Sequence, residues 1–280
     1  MKKVKIYTWA DRRPDFIEKQ YETLKHFIKD EEWEFIVFNN APFFAFSRSR
    51  AIKKECSRLG LKCSDVRFRT FVNGPAQICA WGIDYMFQRF ARWDRKHIHV
   101  ILDSDMFFVN DFNFNEYLGE NCVAALHHTS KKDESIEYLW NGFVIFDGEK
   151  LPDHNRFIFA CGKNIGKASR TDVGGRLYYW LKNNPKAKVK RIKHTAYLNE
   201  ISDKISILPE RVRDSYNPDF GFQFIEAAIL HYRAGSNWQK SSEDFVDKKS
   251  EYFNKLLGLV MSGEANLPSV NEHYQDYYKV

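Results

Sequence analysis

His97-Ile98-His99-Val100-Ile101-Leu102-Asp103-Ser104-Asp105-Met106-Phe107-Phe108-Val109 decides how this 280-residue chain is read. Ile98, Val100, Ile101 and Leu102 form a short apolar run with β-branched members, the pattern of a buried strand in a parallel sheet. Two carboxylates follow at once, Asp103 and Asp105, with only Ser104 between them. A strand that ends in Asp often does no more than enter a turn, because Asp bends and caps backbone. The other reading is chemical. In open α/β sheets ligands bind beyond the carboxyl ends of the strands, where loops carry polar groups. An Asp-x-Asp there sets hard oxygen ligands where a divalent cation and a phosphate-bearing substrate meet. Three residues alone do not separate these readings.

Towards the N-terminus the pattern alternates. Residues 3–9 read as a first strand, and Pro14 suits the first turn of a helix. Phe16, Ile17, Leu24, Phe27 and Ile28 supply that helix with an apolar stripe. Residues 33–38 are a second strand ending in Asn39-Asn40. Ser47 is placed to cap a helix that runs through Leu59 and stops at Gly60. Residues 66–72 read as a third strand, and residues 76–93 as a long helix after Asn73-Gly74-Pro75. This alternation predicts an α/β fold with a doubly wound, mostly parallel sheet in the first half. After Asp105 the pattern changes. Residues 123–127, 140–146 and 188–193 read as strands, with helices over 172–181 and 245–259. A mixed sheet with loops is expected there. With no repeat or Gly/Ser linker, residues 1–280 read as a single domain. Its nucleotide-binding half spans about 1–105 and its acceptor-binding half about 106–280.

Composition excludes several classes. Hydrophobic residues make up 44% of the chain and aromatic ones 16%, ample for a core. No stretch approaches the roughly 20 apolar residues needed to span a bilayer, and the N-terminus runs into a strand pattern with no signal-peptide core. A soluble, cytoplasmic protein is expected. Five scattered cysteines with no C-x-x-C pair argue against a disulfide framework or a structural zinc site. The net charge of +6 favours an anionic ligand such as a nucleotide, or peripheral contact with an acidic membrane surface. Most of it reads as solvated lysine, and no nucleic-acid partner is expected.

Four further features carry chemistry. Thr8, Trp9 and Ala10 end the first strand and Asn40 follows the second, on the same edge of a doubly wound sheet. There Trp9 can stack on a base and Asn40 can hydrogen-bond it; ordinary turn chemistry is the alternative. Asn141-Gly142 opens a later strand, where glycine permits close backbone approach and asparagine supplies a donor and an acceptor. A β-bulge glycine explains the same pair. Thr171 or Asp172 caps an aromatic helix, a role compatible with a catalytic one. Last, His231-Tyr232-Arg233-Ala234-Gly235-Ser236-Asn237-Trp238 follows an apolar run and puts His231 at a strand end.

Taken in order, these features resemble the GT-A class of nucleotide-sugar glycosyltransferases, in layout over nearly the whole chain. The ending H-Y-R-A-G-S-N-W looks like the C-terminal His-x-x-Gly signature of glycogenin-like retaining members. It differs by one residue of spacing, and Asn237 stands where a lysine is usual; Arg233 or Lys240 would then meet the phosphate. The resemblance implies transfer of a sugar from a UDP- or GDP-sugar to a saccharide or glycoprotein acceptor. It implies a manganese or magnesium ion held by Asp103, Asp105 and His231. Thr8, Trp9, Ala10, Asn40, Asp103, Ser104, Arg233 and Gly235 would contact the donor, and Asp172 and Asn141 the reacting sugars. Asp172 would serve an inverting enzyme as the base; the His signature leans towards retention.

Two other classes fit parts of the pattern. Haloacid-dehalogenase-like phosphatases also place Asp-x-Asp after an apolar strand, but near the N-terminus and with Thr or Val where Phe107 stands. A non-catalytic carbohydrate-binding protein would use the seven Trp and fourteen Tyr for stacking on sugar rings, although such aromatics usually pack cores. Release of nucleoside diphosphate from a sugar nucleotide separates a transferase from both.

Overall fold

The computed structural model describes the chain except residues 43, 67–73, 131–132, 167, 197, 199–207, 235–241, 266, 268–273, 276–277 and 280. It is a mixed α/β fold. Strands β1 (Val4–Ala10), β2 (Trp33–Asn39), β3 (Lys62–Asp65) and β4 (Ile98–Leu102) run parallel in the order β3-β2-β1-β4. β1 pairs with β4 from Val4↔Ile98 to Tyr7↔Ile101, so Trp9 and the residues after Leu102 come out at one edge. Helices α1 (Pro14–Phe27) and α2 (Phe46–Arg58) cover one face, where Phe16, Leu24 and Ile52 pack on Val4, Ile6 and Val37. Helix α3 (Pro75–Met86), prolonged by a π-helical turn over Phe87–Ala91, covers the other with Ile83 and Phe87 against Tyr7 and Phe38. Both faces of the sheet are therefore buried, as the apolar strands require.

The sheet does not end with β4. After β5 (Met106–Phe108) and α4 (Phe114–Leu118) come β6 (Val123–Ser130) and the long β7 (Asp133–Asp147). β7 lies antiparallel to both β4 and β6, so the mixing of strand directions occurs inside the main sheet. Beyond it, hairpin β8 (Lys163–Ile165) and β9 (Ala168–Arg170) precedes α5 (Leu177–Asn183), and β10 (Val189–Arg191) returns parallel to β6. A second, wholly antiparallel sheet joins β11 (His194–Thr195), β12 (Gln223–Ile225), β13 (Ile229–His231) and β14 (Tyr274–Gln275) to β5. Short helix α6 (Glu210–Arg213) and long α7 (Glu243–Met261) pack nearby, and β15 (Tyr278–Lys279) adds to β6.

Several expectations are corrected. A strand forms at Lys62–Asp65, where none was expected; it hydrogen-bonds β2 alone and needs no apolar run. Of the strand read over 66–72, Val66 is not in a strand, and the rest falls within residues 67–73, which lie outside the described residues. Ser47 is not a cap: α2 starts after Ala45 with no side-chain cap, and Gly60 follows its end at φ +68. Neither Thr171 nor Asp172 caps α5, which starts after Arg176. The intervening glycines explain the delay. Gly174 has φ +86, and a Cβ there would sit 1.9 Å from the Leu139 carbonyl oxygen; a Cβ on Gly175 would meet Thr171 Oγ1 at 1.6 Å. The chain therefore turns under β7 before it coils.

Candidate active site

The Asp103-Ser104-Asp105 turn sits where the chain leaves the main sheet for the small one. Asp103 N–H donates to the Gly142 carbonyl of β7 at 2.8 Å, and Met106 N–H to the Asp103 carbonyl at 3.1 Å. From α1, Gln20 Nε2 donates to the Asp103 and Met106 carbonyls at 2.8 and 3.0 Å. Ser104 N–H donates to Asp103 Oδ1 at 2.7 Å, which turns that carboxylate over its own backbone. Burial pushes the Asp103 carboxyl well above the usual carboxylate range, helped by the negative charges of Asp105 and Asp172 and opposed by the bonds from Ser104.

β5 brings His231 to this turn. Met106 is in register with His231, and Tyr232 N–H donates to the Asp105 carbonyl at 2.8 Å. His231 Nε2 lies 3.5 Å from Asp105 Oδ1, with both side chains buried. On its other side His231 Nδ1 meets Gln223 Oε1 at 3.1 Å. The orientation of Gln223 is set by its amide, which donates to the Thr195 carbonyl at 2.8 Å. Nδ1 is thereby set as the donor, and Nε2 faces the carboxylate. A neutral imidazole held in this way would offer its Nε2 lone pair beside a carboxylate oxygen, a donor set that suits a divalent metal. Asp103 does not close the set. Among the described residues no group of three or more His, Cys, Asp and Glu is gathered to hold a metal ion.

Beside the turn lies a cavity of about 360 Å³. Trp9, Asn40, Asp103, Ser104, Asn141 and Asp172 all line it, from five separate parts of the chain. A β-bulge explains how Asn141 gets there. The β6–β7 register jumps between Ala125↔Val144 and Leu126↔Trp140, which leaves Asn141, Gly142 and Phe143 without partners on β6. The bulge reading of Asn141-Gly142 holds; a bulge re-aims a side chain, and a Cβ on Gly142 would lie 2.0 Å from the Trp140 ring. The Oδ1 atoms of Asn40 and Asn141 are buried and have no hydrogen-bond partner among the described residues. Each such group costs about 1–3 kcal/mol unless something completes it.

Other predicted residues fall differently. Thr8 and Ala10 are buried and do not line the cavity; Ala10 packs on the face of β1 covered by α1 and α2. Trp9 is 5% exposed, so it forms a wall more than an open stacking surface. Arg233 follows His231 at φ +59 and does not line the cavity; its carbonyl accepts from Lys249 Nζ at 3.0 Å. Gly235, Asn237 and Lys240 lie outside the described residues. Three residues were not foreseen. Gln20 and Gln223 act through backbone turns and strand register that no local pattern shows. Cys79 lies in the cavity wall between Trp9 and Asn141, whose Nδ2 donates to its Sγ at 3.4 Å. Burial, then the charge of Asp103, pushes its thiol well up, so it stays protonated.

No protein-family model matches the sequence, and no curated protein does. Solved structures do show similarity. A galactosyltransferase, LgtC, in complex with donor and acceptor sugar analogs is 16% identical over 96% of this chain and 98% of that one, with a TM-score of 0.48. The mannosyltransferase PcManGT from Pyrobaculum calidifontis, in complex with GDP-Man and Mn2+, is 12% identical over 67% of this chain, with a TM-score of 0.39. The bifunctional glycosyltransferase WbbM in its apo form is 16% identical over 55% of this chain, with a TM-score of 0.36. The chain spans about a third of WbbM and about half of PcManGT (33% and 53%). At these levels the functional reading rests on the side chains of this protein.

Proposed function

We propose that this protein is a metal-dependent glycosyltransferase that moves a sugar from a nucleotide-diphosphate donor, UDP- or GDP-linked, to a saccharide or glycoprotein acceptor. The observation that carries the reading is the meeting of two things at one sheet edge. One is the Asp105–His231 pair, oriented by Gln223; the other is the polar cavity beside it, walled by Trp9, Asn40, Asp103, Asn141 and Asp172.

Asp105 and His231 would hold a manganese or magnesium ion, with Asp103 next to it. The ion would neutralise the charge that builds on the diphosphate as the glycosidic bond breaks. Asn40 Oδ1 would accept from the base or ribose, and Trp9 would wall off the ring. Asn141 Oδ1 would accept from a sugar hydroxyl beside Asp103. Asp172, in the cavity wall, would take the acceptor's proton or clamp its hydroxyl. On this reading residues 1–105 supply most donor contacts and residues 106–280 the acceptor side and His231. Five free cysteines suit a reducing compartment, and we place the enzyme in the cytoplasm. Among the described residues no helix is long and apolar enough to cross a membrane.

A panel of UDP- and GDP-sugars with manganese, read by released nucleoside diphosphate and by melting temperature, tests the proposal. The correct donor should stabilise the fold by about 2.7 kcal/mol at a hundredfold excess over its dissociation constant, a shift of roughly 5–10 °C. Release of phosphate from phosphomonoesters instead would point to the phosphatase class. Binding of sugars with no turnover would point to a lectin-like protein.

A further inference from the structure

The opposite edge of the main sheet carries a second concave site. Ahead of β4 the chain leaves the π-helical turn through Arg92, Trp93 and Arg95. β7 returns to the same edge, because Ile98 pairs with Asp147, and His154 and Arg156 follow it. These residues line an open cleft of about 600 Å³, together with Asp153.

Several arginines elsewhere on the surface meet carboxylates: Arg13 meets Asp15, Arg48 Asp11, Arg58 both Glu18 and Glu55, Arg191 Glu137 and Arg211 Glu264. In the cleft they do not. Arg92 donates to Gln88 Oε1 at 2.6 Å and to Asn155 Oδ1, and Arg95 donates to the Glu149 carbonyl at 3.0 Å. None of Arg92, Arg95 and Arg156 forms an ion pair among the described residues. Neutral acceptors orient two guanidinium groups while leaving their charge intact. The one acid, Asp153, accepts from Asn184 Nδ2 at 3.3 Å. Burial holds the His154 imidazole below the usual range; the charges of Arg95 and Arg92 add to this, and its bond to the Gly148 carbonyl and the charge of Asp153 oppose it. Trp93 projects beside them, 73% exposed, with the Arg92 guanidinium 4.8 Å from its ring centre.

Three gathered like charges repel one another, and an anion in the cleft relieves that repulsion. Guanidinium forks match the oxygens of phosphate two at a time, and an exposed indole gives the organic part of a ligand a flat surface. We infer that this cleft binds a phosphate-bearing ligand through Arg92, Arg95 and Arg156, with Trp93 against its organic portion. The site is separate from the Asp105–His231 edge and does not depend on the transferase reading. Inorganic pyrophosphate and phospholipid headgroups share this chemistry, and the net charge of +6 suits both.

The test uses the full chain in chelator, so that no metal draws pyrophosphate to the carboxylates. Pyrophosphate is titrated by calorimetry. In parallel, vesicles of phosphatidylglycerol in phosphatidylcholine are compared with pure phosphatidylcholine by flotation. The double variant Arg95→Gln/Arg156→Gln, with an unchanged melting temperature, should weaken binding of whichever probe binds by tenfold or more, and wild-type binding should fall with salt. Loss of vesicle binding in Trp93→Ala, with retained pyrophosphate binding, assigns a lipid headgroup. Pyrophosphate binding with no anionic-vesicle binding assigns a soluble phosphate. The inference is overturned if neither probe binds, or if the double variant binds as the wild type does. Nucleoside-diphosphate release in the donor assay should be unchanged in these variants, so failure here leaves the proposed function standing.

Discussion

At the amino end of β4, Lys5, Asp94, His97 and His99 form a closed network. Tyr7 OH lies 3.0 Å from His99 Nδ1, His99 Nε2 lies 2.7 Å from the Asp94 carbonyl, and the Asp94 carboxylate takes both Lys5 and His97. At the carboxyl end the charges of Asp105 and Asp172 bear on the buried Asp103 carboxyl, and buried oxygens of Asn40 and Asn141 lack partners among the described residues. One strand thus carries titratable groups at both ends with opposite outcomes. At the first end the fold itself supplies every partner. At the second it leaves the Asn40 and Asn141 acceptors without partners among the described residues and gathers carboxylates around a buried one, which lowers stability and is tolerated where a ligand supplies the missing partners.

The largest effect that tests this contrast is at Asp105. Asp105→Asn should lower metal-dependent donor turnover on the order of 10³-fold, the scale of several kcal/mol of lost charge stabilisation. It also removes one of the charges that raise the Asp103 carboxyl, so the metal-free melting temperature should hold or rise. A variant that lost stability along with activity would make the two ends alike. Next comes Asp172→Asn, which keeps size and removes basicity. Transfer should drop by a factor of order 10² while nucleoside-diphosphate binding, followed by calorimetry, is unchanged. Near-normal transfer would return Asp172 to a structural role.

Gln223→Ala frees the tautomer of His231. Manganese affinity, measured by titration in the absence of donor, should weaken roughly 10- to 100-fold. Unaltered affinity would mean that His231 is not held for a cation. The smallest effect on function belongs to the closed end. His99→Phe leaves Tyr7 OH and the Asp94 carbonyl unpaired and should cost about 1–3 kcal/mol of stability with turnover intact. The pH dependence follows from the same residue. Burial pushes the His99 imidazole down to about 4 from 6.5. Above 6.5 it is neutral folded or unfolded. Below that value the unfolded chain gains a proton that the folded one refuses, so wild-type stability should fall between about 6.5 and about 4. His99→Phe should flatten that part of an acid-denaturation curve.

Much of this was legible in the chain. Ile98, Val100, Ile101 and Leu102 are apolar because β4 is covered on both faces, and the change to Asp103 marks where cover ends. The stripe Phe16, Ile17, Leu24 and Phe27 predicted α1 for the same reason. Lys62-Cys63-Ser64-Asp65 was illegible as a strand because an edge strand can be polar and still pair with β2. Which wall a strand-end residue faces was only half legible. Period two separates Trp9 from Thr8 and Ala10, but choosing which set meets the cavity requires knowing that α3 leaves an opening. Gln223 was invisible because its role depends on the β12–β13 register, which places it opposite His231.

The pairing of β5 with β13 has a consequence for how the chain acquires its site. Asp105 and His231 are more than a hundred residues apart, and they meet only when a three-residue strand finds its antiparallel partner. The closure entropy of so long a loop falls on a short ladder, so this sheet should form late and open readily compared with β1–β4. A molecule with its main sheet intact and its small sheet open would keep the polar cavity and lose the imidazole. Anything bridging Asp105 and His231 would then act as a clasp between early- and late-folding parts, slowing amide exchange at Phe107 and Leu230 before it altered exchange at Val100.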